Sequence, residues 1–429
     1  MNPLPLTAPR RDFLKAGAAG LAASVAFPHV SFGAEDSRRL KVGLIGCGGR
    51  GTGAAQDAMN ADSNVELHAV ADVFPESTAT SLRSLKEAFR DRVTVDESRT
   101  FIGMDAYQKV LASGVDVVIL TTPPGFRAGH FEAAVEAGKH IFCEKPMGVD
   151  IPGVKRIMAA AEKAHSNGQS IVGGFCWRRD AARRAAFEQI ANGAIGDITS
   201  YYATYYTGPV KPMQPASARK AEWSDVEWQL RNWMNFSWLS GDSFVEQAVH
   251  SVDKVGWAFG DKDPLTCIAT GGRQIPAEGG NIYDHFSTIY EFPNSVFAHV
   301  ASRQQTSCDS ENADYIRGTK GVCIIGKGGA PMIKGETNWR YRGEDNEMYK
   351  QEHVELYQSI RAGAPLNDPW MCHSTMLAIM GRMAAYTGKR VTWDQVINSK
   401  DDLAPEDDLK WDSSFTPTPL PKPGVTPLT

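Results

Sequence analysis

A glycine-rich hexapeptide after the first apolar segment constrains the fold of this 429-residue chain more than any other feature. The run from Leu40 to Ile45 has the composition of a buried strand, and a helical pattern begins near Thr52. Between them stand Gly46, Cys47, Gly48, Gly49, Arg50 and Gly51. Glycine lets the backbone turn tightly and lets a diphosphate approach the amides at a helix N-terminus. The order predicts a strand, a phosphate-binding turn and a helix, the first unit of a doubly wound sheet.

A carboxylate follows the hexapeptide at the spacing that a dinucleotide site requires. Asp72 lies 21 residues after Gly51, at the end of a second apolar run from Val65 to Ala71. There it can accept both hydroxyls of an adenosine ribose, and the following residues, Val73 and Phe74, offer no cation for a 2′-phosphate. We therefore expect the glycine loop and Asp72 to bind NAD rather than NADP. A purely structural glycine turn is the alternative.

The pattern of apolar strands and amphipathic helices continues to about residue 175. Further strands are predicted at Val115 to Thr121, His140 to Cys143 and Ser170 to Phe175. Helices are predicted at Thr52 to Asn60, Glu76 to Phe89, Ala106 to Ala112, Arg127 to Ala137 and Ile151 to Ser166. Residues 38–175 are therefore expected to form a Rossmann domain.

Longer aromatic and β-branched segments dominate the second half of the chain. They run over Ile198 to Thr207, Thr266 to Gly271, Phe286 to Phe292, Ser295 to Arg303, Tyr315 to Gly318 and Val322 to Ile325. With helices at Glu246 to Trp257 and Ser374 to Tyr386, residues 176–400 are expected to form an α+β domain on a large, mostly antiparallel sheet. An exposed face of that sheet favours a homo-oligomer, and residues 401–429 form a Pro-rich tail. The predicted class is thus α/β, a Rossmann domain followed by an α+β domain.

The N-terminus has the pattern of a removable export signal. Arg10 and Arg11 precede Phe13, and a short Ala- and Gly-rich apolar run ends near Phe27. This order resembles a twin-arginine signal cleaved after about residue 33. It implies export of the folded chain to the periplasm by the twin-arginine machinery, with no membrane anchor after cleavage. A chance basic pair before a frayed terminus is the alternative.

Charge and cysteine content exclude several classes of partner. The formal net charge is −5, from 45 basic and 50 acidic residues spread evenly, so no nucleic-acid partner is expected. The seven cysteines are scattered and form no C-x-x-C pair. We expect free thiols and no metal site.

Two further motifs identify a family resemblance. The first is Thr121-Thr122-Pro123-Pro124 followed by His130, and the second is the run A-G-K-H-I-F-C-E-K-P from Ala137 to Pro146. Together with the glycine loop, they resemble the Gfo/Idh/MocA family of nicotinamide-dependent oxidoreductases over essentially the whole mature chain. The resemblance implies that Thr122, Pro123, His130, Glu144 and Lys145 bind the cofactor, with Lys145 also contacting the substrate hydroxyl. A lysine at the carboxyl end of a parallel strand is well placed to stabilise alkoxide charge.

A polar helix face supplies a candidate general base. Glu246, His250 and Asp253 recur at intervals of four and three residues, which places them on one face. A carboxylate one turn away can orient an imidazole that removes an alcohol proton. His250 matches the family's catalytic histidine, and Glu246 stands where the family commonly has aspartate. A solvated helix face and a metal site on Glu246 and His250 are the alternatives.

Aromatic residues suggest where a sugar could bind. Trp223, Trp228, Trp233 and Trp238 recur every five residues, a spacing that cannot direct all four into one core from a regular element. Indoles suit the C–H face of a sugar ring, although core packing remains the expected fate of at least two. From this group we single out Trp238. In the region between cofactor and substrate that the resemblance implies, we single out Trp177 and Arg178.

These observations predict an NAD-dependent oxidoreductase acting on a hydroxyl of a sugar, glycoside or cyclitol. An exported enzyme lacks a pool of free NAD, so we expect the cofactor to be tightly bound and restored in each cycle. An NAD-dependent glycosidase that oxidises, eliminates and re-reduces its substrate is the alternative. That reaction needs an additional acid or base, for which the candidates are Tyr205, Tyr206 and His285.

Overall fold

The computed structural model describes residues 38–275, 279–403, 409–413 and 416–429. The predicted export signal, residues 1–33, lies outside the described residues.

A six-stranded parallel sheet forms the first half of the structure, in the order β3-β2-β1-β4-β5-β6. Its strands are β1 (Leu40–Ile45), β2 (Val65–Asp72), β3 (Thr100–Ile102), β4 (Val117–Leu120), β5 (His140–Glu144) and β6 (Ile171–Gly174). Its helices are α1 (Gly49–Ala61), α2 (Pro75–Phe89), α3 (Ala106–Ala112), α4 (Arg127–Glu136) and α5 (Ile151–Ser166). The strands are apolar and almost wholly buried because helices cover both sheet faces.

This sheet confirms the predicted doubly wound architecture. All five predicted strands and all five predicted helices are present, with ends shifted by up to three residues. The additional strand, β3, has only three residues, none of them fully buried, so it lacked an apolar signal. The strand order reverses between β1 and β4, and a crevice opens at the carboxyl ends of strands at such a point.

A nine-stranded sheet forms the second half, in the order β14-β13-β12-β11-β7-β10-β9-β8-β15. Its strands are β7 (Ile198–Thr207), β8 (Thr266–Gly272), β9 (His285–Phe292), β10 (Val296–Gln304), β11 (Asp314–Gly318), β12 (Gly321–Ile325), β13 (Met332–Gly335), β14 (Trp339–Arg340) and β15 (Val391–Thr392). β7 and β10 pair in parallel, whereas the other paired strands are antiparallel. The predicted, mostly antiparallel sheet is thus confirmed.

The remaining helices are α6 (Ala181–Ala191), α7 (Asp225–Arg231), α8 (Ser237–Ser240), α9 (Ser243–Glu246), α10 (Val249–Ala258), α11 (Met348–Arg361), α12 (Trp370–Thr387) and α13 (Trp393–Ile397). Helices α6, α10 and α12 pack on the nine-stranded sheet, whereas α11 packs on the parallel sheet, against α1 and β6. The predicted continuous helix from Glu246 to Trp257 is wrong, because the helix is interrupted at Gln247 and Ala248, between α9 and α10.

The described part of the C-terminal tail carries no helix or strand and is held by hydrogen bonds to the second half. The Tyr283 hydroxyl donates to the Pro421 carbonyl at 2.9 Å, and the Gly424 amide donates to the Thr387 carbonyl at 2.9 Å.

The cysteines are free thiols, six of them buried and Cys308 exposed. Among the residues that the structure describes, no cluster of three or more His, Cys, Asp or Glu is arranged to hold a metal ion. No helix in the described ranges has the length and apolar character needed to cross a bilayer.

Candidate active site

A cavity of about 280 Å³ lies at the reversal point of the parallel sheet. Nine of the eleven residues predicted to bind the cofactor line it: Gly46, Gly48, Gly49, Arg50, Gly51, Asp72, Thr122, Pro123 and His130. The other two, Glu144 and Lys145, lie at the carboxyl end of β5 and just beyond it.

Two glycines of the loop are required by packing. Gly46 has a φ of +99°, and a Cβ atom there would lie 2.9 Å from Thr121. A Cβ atom at Gly51 would lie 1.9 Å from the carbonyl oxygen of Gly46. Helix α1 can therefore start directly against the end of β1 only with glycine at both positions.

The other two glycines leave space for a ligand. A Cβ atom at Gly48 or Gly49 would meet no atom within 4 Å, so both positions face open space on the cavity side. No side chain caps the N-terminus of α1, so its first amides are left for an acceptor. This cradle fits the pyrophosphate of a dinucleotide.

Asp72 is fixed beside the loop by two backbone amides. Its carboxylate accepts the Cys47 amide at 2.6 Å and the Phe74 amide at 2.9 Å. Burial raises the pKa of Asp72, and these amides oppose the rise. The carboxylate keeps unused lone pairs on the cavity side, as recognition of a ribose diol requires.

Four of the cavity residues that were not predicted to bind the cofactor come from the second half of the chain: Lys211, Leu230, Trp233 and Leu409. The sequence analysis found no basic residue directly after Asp72, but the structure brings Lys211 to the same cavity. No local pattern in the sequence indicates this return of the chain.

His130 lines the cavity as a neutral side chain. Its Nδ1 lies 3.1 Å from the Thr122 hydroxyl, and its ring stacks on Tyr107 with centroids 4.1 Å apart. Burial lowers its pKa to about 3, and the charge of Arg127 contributes to the decrease.

Arg50 connects the glycine loop to the motif at the end of β5. Its guanidinium donates to Glu144 at 2.8 Å and to Asp57 at 2.9 Å. Glu144 is itself buried. The ion pair between Arg50 and Glu144 ties the loop to the residue that precedes Lys145.

A hydrogen-bonded chain runs from Lys145 into the second half. Lys145 Nζ donates to Glu246 Oε1 at 2.8 Å and also to the Glu246 carbonyl. Glu246 Oε2 accepts from the Gln247 amide, and Gln247 Oε1 accepts from the Tyr205 hydroxyl at 3.0 Å. Glu246 therefore orients Lys145. The prediction that it orients His250 is corrected, because both carboxylate oxygens bond to Lys145 and Gln247, and no hydrogen bond joins Glu246 to His250 among the described residues.

His250 is a buried, neutral imidazole close to these hydrogen-bonded residues. The residue is 9% exposed, and its Nδ1 has no hydrogen-bond partner among the described residues. Burial lowers its pKa well below the ordinary value, and the nearby charges of Lys145, Lys254 and Arg183 lower it further. A neutral imidazole can accept a proton.

The indole of Trp177 packs against His250, with ring centroids 5.0 Å apart. Two cations hold it, Lys254 at 4.1 Å and Arg183 at 4.8 Å from the ring centroid. Trp177 therefore lies next to His250, and its predicted contact with the substrate stays a prediction.

The other two predicted substrate residues are engaged elsewhere. Arg178 forms buried ion pairs with Asp253 and Asp261 at 2.8 and 2.5 Å. Trp238 is 3% exposed, and its indole nitrogen donates to Gln229 Oε1 at 2.7 Å. Both predictions of substrate contact are corrected, because these polar groups are already paired within the fold.

Strand register separates the three acid or base candidates. Tyr206 pairs with Arg303, which also pairs with His285, so these side chains share one face of the sheet. Tyr205 points to the opposite face, where it contacts Gln247 and Trp177. Only Tyr205 of the three lies on the side of His250.

Comparison with known proteins matches both halves of the chain. Residues 40–169 match the oxidoreductase family with an NAD-binding Rossmann fold, GFO/IDH/MocA, and residues 183–324 match the GFO/IDH/MocA C-terminal domain. The fold is similar to the crystal structure of aldose-aldose oxidoreductase from Caulobacter crescentus, with 18% identity, a TM-score of 0.64, and coverage of 83% of this chain and 100% of that one.

Curated relatives include two inositol 2-dehydrogenases. That of Acidothermus cellulolyticus is 25% identical over 263 residues, 61% of this chain and 66% of the relative. That of Rhizobium meliloti is 25% identical over 285 residues, 66% of this chain and 74% of the relative. The chain thus spans about two thirds to three quarters of the length of these relatives. With both domain models matched and the glycine cradle in place, the chain belongs to the Gfo/Idh/MocA family of oxidoreductases and uses NAD.

Proposed function

We propose that this protein oxidises a hydroxyl group of a sugar, glycoside or cyclitol, with His250 as the general base and Lys145 as the group that stabilises charge on the reacting oxygen. The observation that carries the proposal is the proximity of the neutral, buried His250 to the ion pair of Lys145 and Glu246. Lys145 directly follows β5, a strand of the sheet that forms the NAD cavity. The two relatives named inositol 2-dehydrogenase support a polyhydroxylated substrate.

The residues divide the reaction between them. NAD, when bound, accepts the hydride from the carbinol carbon. His250 takes the hydroxyl proton, so the substrate loses two electrons and two hydrogens and becomes a carbonyl compound. Lys145, held by Glu246, stabilises negative charge on the oxygen as that proton leaves. Trp177 offers an apolar ring beside His250 for the C–H face of the substrate.

The proposal includes the setting of the reaction. Arg10 and Arg11 support export to the periplasm by the twin-arginine machinery, and an exported enzyme needs a cofactor that stays bound through each cycle. Exposed apolar side chains on the second sheet, Tyr202, Ile268 and Phe297, support association of identical chains through that face.

The test is turnover of polyols with NAD by the purified protein. Cyclitols, free sugars and alkyl and aryl glycosides are supplied, and formation of reduced cofactor and of ketone is followed. His250→Ala and Lys145→Ala are expected to abolish turnover while dinucleotide binding persists. Gly48→Val is expected to fold but lose the dinucleotide, because its side chain extends into the open cradle. Full activity in Lys145→Ala would contradict the proposed roles.

The same assay distinguishes net oxidation from the glycosidase reaction. Release of aglycone without accumulation of ketone or reduced cofactor would replace net oxidation by hydrolysis. In that case Tyr205→Phe tests the acid, since burial raises the pKa of the Tyr205 phenol and keeps it protonated.

A further inference from the structure

One wall of the NAD cavity is built by the second half of the chain. Besides the glycine loop, the cavity is lined by Lys211, Leu230 and Trp233. All three belong to residues 208–235, which we name the cover segment and which follow β7. The family match explains the glycine loop but assigns no role to these three side chains.

The cover segment is fixed by its own hydrogen bonds. The Asn235 side-chain amide donates to the Lys211 carbonyl at 3.2 Å, and the Gln214 amide donates to the Asn232 side chain at 2.9 Å. These contacts fix the backbone at Lys211 and three residues after it, at Gln214. The cover segment is therefore a fixed part of the cavity wall.

Arg231 attaches this wall to the Rossmann half. Its guanidinium donates to Glu76 on α2 at 2.7 Å and lies 4.2 Å from the ring centroid of Phe74. Phe74 and Met104 of the Rossmann half also pack with Leu230 and Trp233 in one apolar cluster. The end of the cavity next to Asp72 is consequently enclosed by apolar side chains from both halves.

Lys211 supplies a positive charge to the same end. It is half-buried; burial lowers its pKa, the charge of Arg231 lowers it further, and the charge of Asp72 raises it. A dinucleotide brings an apolar base, a ribose diol and a dianionic pyrophosphate, and these are the chemical groups that an apolar cluster, a carboxylate and an ammonium recognise.

We propose that the cover segment is the second wall of the NAD site: Leu230 and Trp233 cover the adenine, and Lys211 binds the ribose and pyrophosphate side opposite Asp72. Bound NAD is enclosed between the two halves and leaves slowly. This rests on the proposed function in one respect, since slow release supplies the retained cofactor that an exported enzyme needs.

The test measures dinucleotide release in the absence of any carbohydrate. Wild type, Lys211→Ala and Trp233→Ala are loaded with NADH, and release is followed by loss of NADH fluorescence after mixing with excess NAD. Each variant is expected to release NADH about tenfold faster than wild type, the effect of losing one contact to a charged group or one buried ring face. Lys220→Ala is the matched control, because this lysine lies on the same segment against Trp223 and outside the cavity lining.

Release at the wild-type rate in both Lys211→Ala and Trp233→Ala would overturn the proposal, as would equal acceleration in Lys220→Ala. If Trp233→Ala unfolds, Trp233→Leu keeps the apolar cluster filled, and Lys211→Ala remains an independent arm. Because no carbohydrate is present, failure of the proposed dehydrogenase activity leaves this result unchanged. Conversely, unaltered release in the variants leaves the polyol assay unchanged.

Discussion

Among individual residues, Glu246 fixes the ammonium of Lys145, the group that we propose acts on the substrate oxygen. The two side chains are 10% and 8% exposed, so the lysine charge has little water to stabilise it and depends on this carboxylate. Glu246→Gln is expected to reduce kcat at least tenfold with little change in NAD binding, because the uncharged amide holds the ammonium less firmly. Glu246→Asp restores the charge on a shorter side chain and should recover part of the loss.

Steady-state kinetics checks whether kcat decreases from wild type to Glu246→Asp to Glu246→Gln, and dinucleotide binding is measured separately for each protein. Equal activity of Glu246→Gln and wild type would contradict the role of the carboxylate. A loss of NAD binding in Glu246→Gln would place the residue in the cofactor site instead.

The predicted residues differ in how much of their surroundings a local pattern describes. The motif places Lys145 just beyond the end of β5, where the structure has it, but its partner Glu246 lies 101 residues further along the chain. Arg178 looked available for substrate, but its partners Asp253 and Asp261 lie 75 and 83 residues further along the chain. No local pattern shows that such a charge is already neutralised.

At the level of elements, two helical glycines should respond in opposite directions to the same substitution. A Cβ atom at Gly381 in α12 would lie 2.6 Å from the ring of Phe244 and 2.8 Å from the Tyr290 hydroxyl, both buried. Gly381→Ala should therefore destabilise the protein by about 1–3 kcal/mol through overpacking. At Gly53 in α1 a Cβ atom would meet only the flexible end of Arg50, at 3.4 Å. Gly53→Ala should stabilise by up to about 1 kcal/mol, from helix propensity.

Thermal unfolding of both variants against wild type tests the pair. An unchanged or higher Tm for Gly381→Ala would mean that α12 can move away from the sheet, contrary to its close packing. A lower Tm for Gly53→Ala would mean that the first turns of α1 are more constrained than their open surroundings indicate.

Element boundaries followed from sequence wherever packing agreed with local pattern. α3 and α5 begin and end at the predicted residues because an apolar face repeats along their whole length. The break between α9 and α10 was missed because the apolar residues continue through it, and the bonds that Gln247 makes to Glu246 and Tyr205 are tertiary.

For the whole molecule, the two domain classes were readable from sequence but their mutual contact was not. The glycine loop and the alternation of strands with helices predicted the doubly wound class, and the structure then showed the order of the strands. The placement of Lys211 and Trp233 against the glycine loop depends on how one domain folds back on the other. Such long-range contacts form the second wall of the cavity, and no periodic pattern in the sequence indicates them.

The dependence of global stability on pH offers a final test, through a histidine outside the active site. His353 on α11 is fully buried against Phe142, and neither ring nitrogen has a hydrogen-bond partner among the described residues. Burial lowers its pKa from 6.5 to about 3. Between these values the unfolded chain binds a proton that the folded chain does not, so the free energy of unfolding falls as pH decreases from 6.5. From pH 7 to pH 5 this residue alone should lower the free energy of unfolding by about 2 kcal/mol.

His353→Leu should remove that share of the pH dependence, as measured by urea unfolding at both pH values. His165→Leu, at an exposed position on α5, is the control. An unchanged difference between pH 7 and pH 5 in His353→Leu would show that the imidazole is protonated, and therefore solvated, in the folded protein.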